Sequence, residues 1–275
     1  MTQMSFLTRR RLLGSLAAAS FATRNKLRIG VTDWNLNLGA DPQSVPLAAQ
    51  LGFDGVQVSF GRKLKDGKLP VDNPEVVANY LELSKKYRIP IDGTCVDKLH
   101  DNGLKSDKLA TRWVLDSIRL TQALHTKVLL LPFFGRWALQ TQPEMDHTAE
   151  ALRDLAPEAV KAGVILGLEN TISAEDNARI LDRVASKNVL VYYDVGNSTN
   201  AGFDPVKEIR WLGKKRICQI HLKDNPHYLG EGKIQFAPIL QAIRDIGFSG
   251  YANLETDAHP ATLEADMRRN LLYVR

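Results

Sequence analysis

The sequence predicts an α/β chain folded as one closed, single-domain (β/α)8 (TIM) barrel, and three observations carry that prediction. Eight short runs rich in β-branched residues are spread along the chain. Amphipathic stretches fill the gaps between most of them. The junctions leading from an amphipathic stretch into the next run repeat one local phrase. Strands alternating with helices imply βαβ units and a parallel sheet. Eight such units in about 250 residues close a barrel rather than extend an open sheet.

The runs, in order, are LRIGVT (27–32), GVQVSF (55–60), IPIDGTC (89–95), KVLLLP (127–132), GVILGLE (163–169), NVLVYYD (188–194), RICQIHL (216–222) and GYANLE (250–255). Each is short and dense in Val, Ile, Leu or Tyr, the composition of a strand covered on both faces. Helices are expected over 74–86, 106–124, 143–162, 174–185 and 236–246, and a last one closes the chain in LEADMRRNLLYVR. In the first, Val76, Val77, Tyr80, Leu81 and Leu83 share one face. The repeated phrase is seen in AAQLGFDGVQV, SKKYRIPIDG, APEAVKAGVILGLE and IRDIGFSGYANLE. A helix stops near a Gly or a basic residue and a strand starts a few residues later, which is the chemistry of a helix C-cap. These turns belong at the bottom of the barrel, and the opposite strand ends carry the chemistry. LGAD after the first strand is not a dinucleotide fingerprint.

Residues 1–22 read as an export signal ahead of a barrel over 27–275. Arg9, Arg10 and Arg11 form the charged region, Leu12 to Ala19 a short apolar one, and alanines supply cleavage points. The order Thr-Arg-Arg-Arg-Leu-Leu resembles a twin-arginine signal, so a periplasmic or otherwise exported bacterial protein is expected. Removing 1–22 takes away three arginines and no acids, and lowers the formal net charge from +5 to +2. No basic stripe suggests nucleic acid, and no run is long enough for stable membrane insertion after cleavage. Cys95 and Cys218 fall in separate apolar runs without the spacing of a metal knuckle, and are expected to be inert.

The last four strands all finish on a residue that can hold a metal: Glu169 in GLENT, Asp194 in YYDVGN, His221 in QIHLKD and Glu255 in NLETD. Each is separated from the next by about one βα unit, so in a barrel the four converge on one mouth. Three carboxylates and one imidazole make an oxygen-rich set that suits one divalent ion, Mn2+ first, with Mg2+, Co2+ or Zn2+ also able to fit. Without a cation, three carboxylates so close would repel one another.

The segments LGLEN, YYDVGNSTNAGFDP, RICQIHLKD, LGEGKIQF and GFSGYANLE resemble the xylose isomerase-like TIM-barrel superfamily of sugar isomerases and epimerases, over residues 27 to about 260 and most strongly in the carboxyl-terminal half. The resemblance implies that Glu169, Asp194, His221 and Glu255 hold one divalent metal. It also implies that Glu169 and Glu255 stand on opposite faces of a sugar as acid and base, working through a cis-enediolate. Lys223 lies two residues beyond His221, hence on the same strand face, and is placed as a third catalytic residue. Asp224 points the other way and is expected to hold a loop. Asn197, standing where several relatives carry a substrate-contacting His, and His227, standing where ketose 3-epimerases carry an Arg, are both expected to contact the substrate. Glu231 in LGEGK is expected to reach the mouth. Trp34, after strand one, and Phe133, Phe134 and Arg136, after strand four, are expected to form a sugar-stacking and phosphate- or acid-binding wall.

The reaction is therefore expected to be sugar epimerisation or isomerisation. Elimination from a keto-sugar, inosose or keto-glycoside is the alternative that shares the enediolate, and a non-catalytic carbohydrate-binding barrel is the alternative of another class. The endonuclease IV branch needs extra histidines, for which only His100 is available. Export favours a neutral sugar or keto-glycoside. A homo-oligomer is implied by the resemblance alone, with no interface signature in the sequence.

Overall fold

The computed structural model describes residues 27–275, so the export signal read at residues 1–22 lies outside the described residues. Eight parallel strands close into a barrel in sequence order: β1 (Arg28–Thr32), β2 (Gly55–Ser59), β3 (Ile91–Cys95), β4 (Val128–Pro132), β5 (Ile165–Glu169), β6 (Val189–Asp194), β7 (Ile217–Leu222) and β8 (Tyr251–Leu254). The barrel closes where β1 pairs with β8, Gly30 opposite Asn253 and Val31 opposite Leu254. All eight expected strands form, each within two residues of its expected start and end.

Helices cover the outside: α1 (Ser44–Leu51), α2 (Pro74–Tyr87), α3 (Lys108–Ala123), α4 (Gln142–Ala162), α5 (Ala174–Val184), α6 (Val195–Asn200), α7 (Pro205–Leu212), α8 (Phe236–Asp245) and α9 (Leu263–Val274). Their starts follow from capping. The Asn73, Asp107 and Asp204 side chains accept from backbone N–H groups of the first turns of α2, α3 and α7. Thr141 and Glu144 form a capping box on α4. Each such cap contributes about 1 kcal/mol. The bottom turns use the left-handed conformation, at Gly52 (φ 90°) and Gly163 (φ 68°) but also at Arg88 (φ 56°) and Ala185 (φ 55°), where no glycine helps.

Strand alternation divides the barrel into an apolar exterior and an interior that mixes a polar layer with a small apolar cluster of Cys95, Val128, Leu130 and Tyr192. Val56, Val58, Leu129, Leu131, Leu166, Leu168, Ile220 and Leu254 are buried in the same apolar cluster as the helix residues Tyr80, Trp113, Leu152, Ile239 and Met267. The inner face instead carries Gln57, Asp92, Tyr192, Gln219 and Asn253, all buried. Gln219 and Asn253 both donate to Asp92 Oδ1, at 3.0 and 2.9 Å. Gly30 makes room for this layer, because a Cβ there would collide with Asp92 Oδ2 and Asn253 Oδ1. The layer is the floor on which the upper residues of the same faces stand. Among the described residues no helix is long and apolar enough to cross a membrane.

Candidate metal centre and barrel mouth

Glu169 ends β5, Asp194 ends β6, His221 lies in β7 and Glu255 follows β8. Asp194 pairs in register with His221, and the Glu255 N–H donates to the Leu222 carbonyl (3.1 Å), which carries the β8 line one residue further. One donor atom from each of the four residues lies within 4.8 Å of all the others. His221 Nδ1 is 2.9 Å from Glu169 Oε1, 3.5 Å from Glu255 Oε2 and 3.7 Å from Asp194 Oδ2. The strand-end spacing in the sequence thus corresponds to one cluster in space.

The floor sets the imidazole. His221 Nε2–H donates to Gln57 Oε1 at 2.8 Å, and Tyr192 donates to the same oxygen at 2.9 Å. Gln57 Nε2 donates in turn to the Thr94 carbonyl (3.4 Å), which fixes the amide's orientation. A proton held on Nε2 leaves Nδ1 directed at the carboxylates, the tautomer a metal ligand needs.

Charge inside the cluster is strongly perturbed. Burial pushes the Asp194 carboxyl up to about 7, against the attraction of Lys223. Burial would raise Glu255 as well, but His221 and Lys223 together outweigh it and hold that group at about 2. For His221, burial opposes the charge, and the nearby Glu255 and Glu169 carboxylates overcome it and raise the pKa. Lys223 Nζ sits between Asp194 Oδ2 (2.8 Å) and Glu255 Oε2 (2.6 Å). Burial disfavours its charge as well, yet Asp194 and Glu255 keep the ammonium protonated.

The donor set fits a divalent cation. With the imidazole neutral, as a ligand requires, three carboxylates and one ammonium leave two negative charges, which one dication neutralises. Asp194 spends Oδ1 on the Asn197 N–H (2.7 Å), capping α6. Its buried Oδ2 pairs with the Lys223 ammonium at 2.8 Å.

Above the cluster opens a cavity of about 460 Å3, whose lining includes Trp34, Arg62, Phe134, Glu169, Asn197, Lys223 and Glu255. Trp34 Nε1 donates to Glu255 Oε1 (3.2 Å). Asn197 also lines it, and its buried Nδ2 has no hydrogen-bond partner. Of the four clustered residues, only the two glutamates also line the cavity, while Asp194 and His221 lie behind them.

Other expected wall and substrate-contacting residues fall elsewhere. Phe133 is fully buried in the core, because Leu130, Pro132 and Phe134 share the cavity-facing side of β4 and its extension while Leu129, Leu131 and Phe133 share the other. Phe134 is the wall aromatic and stacks on His100, 6.2 Å between ring centroids. Arg136 is at the exposed rim, donating to the Asp101 carbonyl (2.7 Å) rather than lining the cavity. His227 and Glu231 line an adjoining cavity of about 460 Å3 that shares only Lys223 with the mouth. Glu231 is paired there with Arg269. Asp224 does hold a loop, accepting from the Gly232 N–H (3.0 Å). Both cysteines are free thiols; burial raises the Cys95 thiol well above its usual range and Cys218 to about 12.

Two groups escaped the sequence reading. Gln57 left a faint signal, a lone amide within GVQVSF, and Arg62 a plainer one, the basic run that follows.

The family model described as Xylose isomerase-like TIM barrel matches residues 45–275, and the chain belongs to that family. It is 29% identical, over 251 residues covering 87% of this chain and 92% of the other, to a 2-epi-5-epi-valiolone 7-phosphate 2-epimerase of Actinoplanes sp.. Among solved structures it shares its fold with D-psicose 3-epimerase from Clostridium cellulolyticum H10, at TM-score 0.76 and 17% identity over 90% of this chain and 98% of that one. A 3-keto-D-glucoside 4-epimerase from E. coli superposes at TM-score 0.72 and 17% identity, over 91% and 99%.

Proposed function

We propose that this protein is a divalent-metal-dependent sugar epimerase, an enzyme of the isomerase class. One observation supports this above the rest: the two glutamates of the candidate metal cluster, and not its Asp or His, also face the cavity. They come from β5 and β8, so a keto-sugar held between them has one carboxylate toward each side. Glu169 and Glu255 would then exchange the proton next to the carbonyl, one removing it and the other returning it.

A bound divalent ion, Mn2+ by preference, would supply Lewis acidity that favours the enediolate. The chain's own groups do the rest. Trp34 Nε1 fixes the Glu255 carboxylate, Lys223 places a positive charge where enediolate oxygens develop, and Asn197 Nδ2 offers a free donor to a sugar hydroxyl. Phe134 supplies an apolar wall.

Incubating metal-loaded protein with candidate ketoses in D2O tests this. Deuterium should enter next to the carbonyl, and Glu169→Gln or Glu255→Gln should reduce its entry at least about a hundredfold, within the range of acid–base catalysis. Absence of deuterium from every bound sugar would reject the reading in favour of a binding barrel. A new ultraviolet absorbance would instead mark elimination. We propose export as well. A mature chain beginning after residue 22 in the periplasm, and retention of the Arg9→Lys/Arg10→Lys precursor in the cytoplasm, are the outcomes that would support it.

A further inference from the structure

One side of the barrel rim is strongly basic. The loop after β2 runs Gly61-Arg62-Lys63-Leu64-Lys65-Asp66-Gly67-Lys68, four cations against one acid. It is an ordered element: Lys65 and Lys68 exchange backbone hydrogen bonds at 2.9 and 3.0 Å, with Asp66 (φ 53°) and Gly67 (φ 74°) turning the chain. At its base, Arg62, Lys63, Leu64, Lys98 and Asp101 line a cleft. Arg62 lines the reaction cavity too, so the two spaces meet at its guanidinium.

Asp101 gathers the cations. Its carboxylate pairs with Arg62 and, at 3.0 Å, with Lys98, and its carbonyl accepts from Arg136. Two cations thus hold the carboxylate, Arg136 holds the carbonyl, and Lys63 lines the same cleft. The Arg62–Asp101 pair is solvent-exposed, and exposed pairs are weak, so a stronger oxyanion can take the guanidinium over at little cost. A guanidinium presents paired donors that match a carboxylate or phosphate. The adjoining cavity on the opposite flank differs: Asp224 and Glu231 stand there beside His227 and Lys233, and Lys223 is already engaged. Asp97 lines the reaction cavity on this side as well, but in the cleft itself three cations face the one carboxylate of Asp101, and that balance favours an anion.

We propose that this cleft holds an anionic substituent, a phosphate ester or a carboxylate, on the keto-sugar whose reacting carbons lie between Glu169 and Glu255. The assignment rests on the epimerase reading and departs from the neutral sugar that export alone favours. If the protein is exported, a sugar acid is the more available of the two sources.

Calorimetry with inorganic phosphate at low ionic strength, on the metal-loaded full chain, tests the cleft directly. Saturable binding is expected, weakened at least about tenfold in Arg62→Gln/Lys98→Gln, as loss of a charge-assisted contact implies. No saturable binding, or unchanged affinity in the double variant, would overturn the proposal. A second arm compares deuterium exchange for a ketohexose, its 6-phosphate and a ketouronate. One of the anions should show kcat/KM about tenfold or more above the neutral sugar, and the double variant should erase the advantage; the favoured anion identifies the substituent. Equal kcat/KM for neutral and anionic sugars overturns the anion cleft and leaves the epimerase reading intact. Exchange with none of the three, alongside phosphate binding that the double variant loses, rejects the epimerase reading and upholds the cleft.

Discussion

Gln57 Oε1 lies 2.8 Å from His221 Nε2, on the edge of the imidazole opposite Glu169, Asp194 and Glu255. One amide oxygen on β2 thus decides which nitrogen of a β7 histidine faces the cluster. Replacing Gln57 with Leu should leave the ring free to change tautomer. Metal affinity should fall about 10- to 100-fold, the usual cost of losing an outer partner of a ligating histidine, with the fold retained. Titrating Mn2+ into both proteins, with circular dichroism as the fold check, would measure this; equal affinities would remove Gln57 from the site.

Lys223 gives a separable prediction. Lys223→Gln takes away the charge between Asp194 and Glu255 but none of the four clustered groups. Stoichiometric metal binding should persist while kcat for deuterium exchange drops about a hundredfold, the order seen when one transition-state charge partner is lost. Loss of metal and of exchange together would show a purely structural lysine.

Asp92 links the floor to pH. Burial raises its carboxyl from 3.8 to about 7, against the stabilising donors of Asn253 and Gln219. A folded-state pKa above the unfolded one means the folded chain binds the extra proton between about pH 4 and pH 7. The contribution of Asp92 is therefore most favourable below pH 4, falls as pH rises to about 7 and stays low beyond. Asp92→Asn removes that titration, so the stability difference between variant and wild type should shift toward the variant by up to a few kcal/mol from pH 4 to pH 8. Urea midpoints across that range report it, and a flat difference would contradict it.

Glu208 braces the end of β6 that carries Asp194. Its Oε2 accepts from Tyr193 and Ser198, and its Oε1 from the Ala174 N–H, each at 2.8 Å. Glu208→Ala would strand the buried Ser198 hydroxyl and the Ala174 N–H, while Tyr193 keeps Ser198 Oγ as an acceptor at 2.8 Å. A loss of about 2–4 kcal/mol is expected from that many unmet donors, read as a lowered urea midpoint. A change under about 0.5 kcal/mol would mean that water replaces the carboxylate.

What was legible in the sequence follows from locality. Glu169, Asp194, His221 and Glu255 could be read because each sits at a strand end, and the barrel brings strand ends together by its repeat alone. Lys223 followed by parity from His221. The same parity separates Phe133 from Phe134, and counting both into the wall ignored the alternation that sends one of any adjacent pair into the core. Gln57 was out of reach for another reason: it meets His221 across 164 residues, through barrel closure, and a glutamine inside a strand carries no motif. His227 and Glu231 depend on the path of a long loop, which periodicity does not fix.

In the proposed epimerase, Glu169 and Glu255 would serve the ion and the substrate with the same carboxylates. Such an enzyme has no separate control for cofactor choice and for proton transfer. An ion that draws harder on those oxygens makes them poorer bases, and one that draws less leaves them stronger bases on a looser centre. Adaptation to a different metal supply would therefore register as a changed catalyst, with rate and pH optimum moving together.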